Sequence, residues 1–192
     1  MKRLSLFLLL LLVIAGISFA WEAEDLTKFP PCMNDKNVIL NFGIGFNGYF
    51  FDYIGNKYYT YVPPIRLSFD FNKGLGDKAL PFFFGGLVVY SGHFFKNDIL
   101  KWSYSDLRLG FRAGYHFNWG VDNLDTYAVT TTGWTIRFSD QKYKEYYERN
   151  FSDLFLFDIG FGARWFVNEF FGFWAELGYG SSWLNVGLSF KF

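Results

Sequence analysis

The segment Leu184-Asn185-Val186-Gly187-Leu188-Ser189-Phe190-Lys191-Phe192 sets Leu184, Val186, Leu188, Phe190 and Phe192 on one parity and Asn185, Gly187, Ser189 and Lys191 on the other. A period of two belongs to an extended strand, whose successive side chains leave on opposite faces. This segment therefore reads as a strand with one apolar and one polar face. The same pattern opens at Val38, where Val38, Leu40, Phe42, Ile44 and Phe46 alternate with Ile39, Asn41, Gly43, Gly45 and Asn47. With these two as strands 38–48 and 184–192, six more follow at 65–71, 80–90, 105–117, 124–138, 155–165 and 171–179. When each is phased by its apolar residues, the apolar parity carries no charge in any strand. The other parity carries eleven: Arg66, Asp70, Asp106, Arg108, Arg112, Asp125, Arg137, Asp158, Arg164, Glu176 and Lys191.

Alternation alone fits a soluble barrel with an apolar interior as well as a membrane barrel with an apolar exterior. The polar parity separates the two. It is rich in glycine (Gly43, Gly45, Gly110, Gly114, Gly160, Gly162, Gly178 and Gly187), which suits a narrow lumen, whereas a solvated exterior favours Lys, Glu and Thr. The apolar parity ends in Tyr90, Tyr115, Phe117, Trp165, Phe171, Tyr179 and Phe192, at the strand ends where aromatic girdles meet the two bilayer interfaces. Lys or Arg on a lipid-facing position at mid-bilayer costs roughly 2–4 kcal/mol, a physical reason for the missing charges. An open sheet edge cannot be satisfied in hydrocarbon, so the strands must close. The expected fold is an all-β, closed, antiparallel, up-and-down transmembrane barrel of about eight strands.

Composition narrows the classes further. Of 192 residues, 27 are Phe, 13 Tyr and 7 Trp, yet no stretch after residue 20 is apolar for the length of a spanning helix. Residues 1–20 read as a secretory signal peptide: Lys2-Arg3, an apolar run, then Ser18-Phe19-Ala20 with small residues where a signal peptidase cuts. Without Lys2 and Arg3 the charge is 16 − 18 = −2, and no basic patch points to nucleic acid. Residues 21–36 read as a periplasmic leader and 37–192 as one barrel domain. Cys32, the lone cysteine, excludes an internal disulfide and reads as a free thiol in a flexible leader.

Both ends on one side make the connectors alternate between long outer loops and short inner turns. The outer loops are expected at 49–64, 91–104 and 139–154, with a short fourth near Gly180-Ser182. The inner turns fall at Asn72-Lys78, Asn118-Asn123 and Val167-Phe170. Pro63, Pro64 and Pro81 are placed in loops or at strand starts, where they remove no ladder hydrogen bond. The Thr-rich stretch 126–133 leaves room for a bulge.

The ending Asn185-x-Gly187-x-x-Phe190-x-Phe192 resembles the C-terminal signal by which bacterial barrel-assembly machinery recognises outer-membrane barrels. With the signal peptide and the strand pattern, residues 37–192 resemble the small barrels of the OmpA/OmpX and OmpW type. The resemblance implies export to the bacterial outer membrane, contact with its lipid, and handling by periplasmic chaperones and the assembly machinery. It implies no particular activity.

Gly43-Ile44-Gly45-Phe46-Asn47-Gly48 fits G-x-G-x-x-G, but a dinucleotide site needs a helix opening at the last glycine, and Tyr49-Phe50-Phe51-Asp52 follows instead. Ser91, His93 and Asp98 could imitate a lipid-modifying triad near the outer rim, although triads are defined by geometry. His116 reads as a lumen hydrogen-bonder, and two His without nearby Cys form no recognisable metal site. Neither a cofactor nor catalysis is expected. The informative group is the lumen charge set Arg66, Asp70, Arg108, Arg112, Asp158, Arg164 and Glu176. It reads first as a salt-bridged plug, because eight strands enclose just enough room for side chains. The alternative is a charge gate passing ions or small solutes. A conduit for hydrophobic solutes would need a lateral opening that the sequence does not locate. The Tyr-rich outer loops, including 140–150, are the place for a surface ligand. A monomer with an envelope-integrity or surface-interaction role is the expectation.

Overall fold

The computed structural model describes residues 27–47, 59–75, 80–96, 101–139 and 155–192. The expected signal peptide, most of the leader before Phe29, Asp98 and the loop 140–150 lie outside the described residues. Eight strands form: β1 Val38–Phe46, β2 Tyr59–Leu75, β3 Leu80–Lys96, β4 Lys101–Phe117, β5 Leu124–Ser139, β6 Phe155–Phe166, β7 Phe171–Tyr179 and β8 Leu184–Lys191. Each pairs antiparallel with its sequence neighbour, and β1 pairs with β8 from Ile39↔Lys191 to Phe46↔Leu184, closing the barrel. Val38 N donates to Phe192 O at 3.0 Å and Phe192 N to Val38 O at 2.9 Å, so the barrel's first and last residues meet at one rim.

The parity assignment holds. Phe42, Leu67, Phe111, Trp134, Phe161 and Phe173 stand on the outside, whereas Asn41, Arg66, Asp70, Arg112, Asp125 and Arg164 are buried within. The lumen also takes apolar side chains from the inward parity, among them Phe83, Leu87, Val89, Tyr127 and Leu156. Inward glycines make space for them: a Cβ on Gly162 would overlap the Tyr127 ring, and one on Gly114 the Phe83 ring.

Three sequence expectations are corrected. First, β2 and β3 reach well beyond residues 65 and 90, and β3 pairs with β4 out to Lys96↔Lys101, so most of 59–64 and 91–104 is sheet, not loop. In 59–64 a register shift between Val62 and Ile65 breaks the alternation. Second, Pro63 and Pro64 lie inside β2, where the register shifts between Val62↔Gly92 and Ile65↔Tyr90. Two residues oppose one there, the geometry of a β-bulge, which tolerates proline because the extra residue makes no ladder bond. The bulge reverses parity, turning Tyr61 inward, where its hydroxyl donates to Asn47 Oδ1 at 2.9 Å and its ring meets His93 at 4.8 Å. β5, by contrast, runs without a register shift through its Thr-rich stretch.

Third, the leader next to the barrel is folded, not flexible. Met33 is buried against Ile39 and Phe166, with Phe29 and Cys32 beside them. Polar bonds hold this segment across the inner mouth: Lys191 Nζ to Cys32 O at 2.7 Å, Asn118 Nδ2 to Phe29 O at 3.1 Å, and Asn72 Nδ2 to Asn34 O at 3.0 Å. The Phe29 ring lies 5.7 Å from the His116 ring.

Candidate functional site

The inward parity of five strands, β2, β4, β5, β6 and β7, brings the charges together. At mid-lumen Arg66 from β2 donates to Glu176 Oε1 at 2.5 Å, and Arg112 from β4 donates to Glu176 Oε2 at 3.1 Å. Arg112 also donates to Asp70 Oδ1 at 3.0 Å. Arg164 from β6 bridges Asp70 Oδ2 at 2.5 Å and Asp125 Oδ2 at 2.6 Å. Asp125 Oδ1 lies 2.6 Å from His116 Nδ1, and His116 Nε2 lies 3.0 Å from Asn72 Oδ1. The chain Arg66, Glu176, Arg112, Asp70, Arg164, Asp125, His116 is unbroken, and three guanidinium groups face three carboxylates.

Neighbouring residues complete its bonding. Asn41 from β1 donates to Ser68 Oγ at 3.1 Å and Asp70 Oδ2 at 3.3 Å, and its Oδ1 accepts from Arg164 Nε at 3.2 Å and Ser189 Oγ at 2.9 Å. Tyr127 donates to Glu176 Oε2 at 3.2 Å, while the Arg164 guanidinium sits 4.1 Å from the Tyr127 ring centroid, a cation–π contact. Charge-assisted bonds of this kind are roughly twice as strong as neutral ones, and a buried ion is tolerable only when so paired.

Five of the seven sequence-selected charges, Arg66, Asp70, Arg112, Arg164 and Glu176, lie in this one network. Arg108 does not. It joins a second cluster toward the outer end, donating to Asp106 at 3.4 Å, with Arg137 bound to both Asp106 oxygens at 2.7 and 2.8 Å. Asp158 serves neither cluster: it accepts from Ser181 N and Ser181 Oγ, both at 2.7 Å, and so fixes the β7–β8 turn. His116 is the lumen hydrogen-bonder that the sequence suggests, whereas Tyr127 and Asn41 stand outside the sequence-selected residues although each sits on a parity assigned inward. Their parity was legible, and their partners were not, because those partners come from other strands.

Of the ending, Asn185 is buried in the lumen and Phe192 is exposed. Gly187 pairs with Gly43, where a Cβ would strike the Phe42 carbonyl. The Phe190 ring lies 5.6 Å from both Phe170 and Phe171. Gly43 and Gly45 of the G-x-G-x-x-G string lie in β1. Ser91 and His93 are buried in β3, and the Ser91 hydroxyl has no partner among the described residues. The His93 ring stacks on Tyr104 at 4.4 Å.

Among solved structures, the chain is similar to the outer membrane protein OprG from Pseudomonas aeruginosa, with 12% identity, a TM-score of 0.50, and coverage of 88% of this chain and 99% of that one. The fold is that of an eight-stranded outer-membrane β-barrel. A de novo designed transmembrane β-barrel (13% identity, TM-score 0.43) and the N-terminal β-barrel domain of Pseudomonas aeruginosa OprF (16%, TM-score 0.41) also match, each covering 83% of this chain and 98% of its own. No family model matches the sequence, and neither does any curated protein.

Proposed function

We propose that this protein is a non-enzymatic barrel of the bacterial outer membrane, delivered there after removal of residues 1–20, with a structural role in the envelope and a lumen closed by its Arg/Asp/Glu network. The ending Asn185, Gly187, Phe190 and Phe192 serves recognition by the assembly machinery, after periplasmic chaperones have carried the chain, and the barrel works as a monomer against outer-membrane lipid. The observation that carries the closed-lumen reading is the unbroken ion-pair chain from Arg66 to Asp125, contributed by five of the eight strands. An ion crossing it would have to displace a paired guanidinium or carboxylate, and breaking such a pair leaves an uncompensated buried charge at a cost of about 3–5 kcal/mol. The folded leader over the inner mouth works in the same sense.

The test is single-channel conductance of refolded residues 21–192 in a planar bilayer. Silence from protein shown to be folded is expected. Reproducible steps altered by Glu176→Gln or Asp70→Asn would establish the alternative, a gated small-solute pore.

A surface-interaction role has its own support at the outer end of the β3–β4 hairpin. There a hollow of about 530 Å³ is lined by Phe94, Phe95, Lys96, Lys101 and Trp102, with Phe95 and Trp102 stacked at 5.5 Å. Aromatic side chains at an exposed rim are the residues favoured in recognition. Cells carrying Trp102→Ala together with Lys101→Glu should bind a surface or matrix less well than wild type; unchanged binding removes this part of the reading.

A further inference from the structure

Beside the ion-pair chain, on its outer side, lies a hollow of about 10 Å³ bordered by Arg66, Asp158, Glu176, Ser182 and Asn185. Three of these residues each have a buried side-chain atom, Arg66 Nε, Ser182 Oγ and Asn185 Oδ1, with no hydrogen-bond partner among the described residues. The three residues are 1%, 5% and 2% exposed. Orphaned buried polar atoms are rare in folded proteins, and a cluster of them around one void calls for a common partner.

We propose that this hollow is a binding site for a single internal water molecule. The size is right, since a void admits one water from about 10–15 Å³ and the water needs two to four polar partners. The roles also match. Arg66 Nε–H can only donate and Asn185 Oδ1 can only accept, so the occupant must accept from one and donate to the other, while the Ser182 hydroxyl takes either role. A bare ion satisfies only one of the two: an anion can accept from Arg66 but meets Asp158 and Glu176, and a cation can sit on Asn185 Oδ1 but meets Arg66.

The site has two consequences. It joins the mid-lumen ion pairs to the β7–β8 turn, since Ser182 follows Ser181, which Asp158 holds. It also gives Asn185, the polar residue of the C-terminal ending, a reason for polarity inside the folded barrel that is separate from any role in assembly.

The test is water–protein NMR on the chain refolded in detergent micelles. A cross-peak between the Arg66 Nε–H and water, with the sign of a long-lived contact rather than of proton exchange, is expected. In Asn185→Leu, which removes the acceptor and fills the hollow, that cross-peak should vanish while the Arg66 Nε–H resonance remains. Where Asn185→Leu fails to fold, Ser182→Val fills the hollow from the other side and is read the same way. An observed Arg66 Nε–H with no water cross-peak in the wild type overturns the site, as does a cross-peak that survives filling. A bromide-soaked crystal with an anomalous peak in the hollow would replace water by an anion and overturn it equally.

Discussion

Asp70 shows how much one inward carboxylate carries in this lumen. It accepts from Arg112, Arg164 and Asn41 at once, so Asp70→Asn leaves two fully buried guanidinium groups short of a counter-charge. The expected loss is about 3–5 kcal/mol, read by urea unfolding in lipid vesicles. At Gly162 the constraint is volume, because the Tyr127 ring already occupies the place of a Cβ. Gly162→Val should therefore cost about 1–3 kcal/mol in the same assay through overpacking. Cys32 differs again. Burial, reinforced by the nearby Asp125 carboxylate, pushes its thiol up to about 12. The thiolate is the nucleophile, so iodoacetamide should label Cys32 far more slowly in the folded barrel than in the unfolded chain at the same mildly alkaline pH. Equal rates would mean that the leader does not stay docked.

At the scale of elements, β2 shows where strict alternation stops being a guide. From Arg66 the inward residues are even-numbered as far as Asn72, but above the Pro63-Pro64 bulge the inward residue is Tyr61. Deleting Pro64 alone should remove the extra residue and leave one-to-one pairing, with Tyr61 still inward opposite His93 and the reactivity of His93 toward diethyl pyrocarbonate unchanged. A rise in that reactivity would show that Tyr61 had turned outward and that the bulge holds more than one extra residue's worth of register. The leader is the second such element. Its anchor is Met33, buried on Ile39 and Phe166, and Met33→Ala should cost about 2–5 kcal/mol if the mouth closes as tightly as a protein core.

For the whole molecule, the barrel is an inside-out protein whose buried interior charges must be paired and whose exterior must be uncharged. Phe161 stands on the outside at the middle of β6 and is 66% exposed. Phe161→Arg should destabilise the membrane-inserted barrel by about 2–4 kcal/mol. In the lumen the balance is local: Arg66, Arg112 and Arg164 face Asp70, Asp125 and Glu176. The sequence alone determined that eight strands alternate, that their charged faces share one side, and that the side is the interior. Period-two patterning and the exclusion of charge from hydrocarbon are local properties, legible one strand at a time. Which charges pair was decided only by tertiary structure, because Arg164 and Asp70 are 94 residues apart and meet through the register of a closed barrel. Closure likewise set Asp158 on a turn instead of in the ion-pair chain, and folded the leader over the inner mouth. Each of these contacts joins segments whose sequences carry no sign of one another.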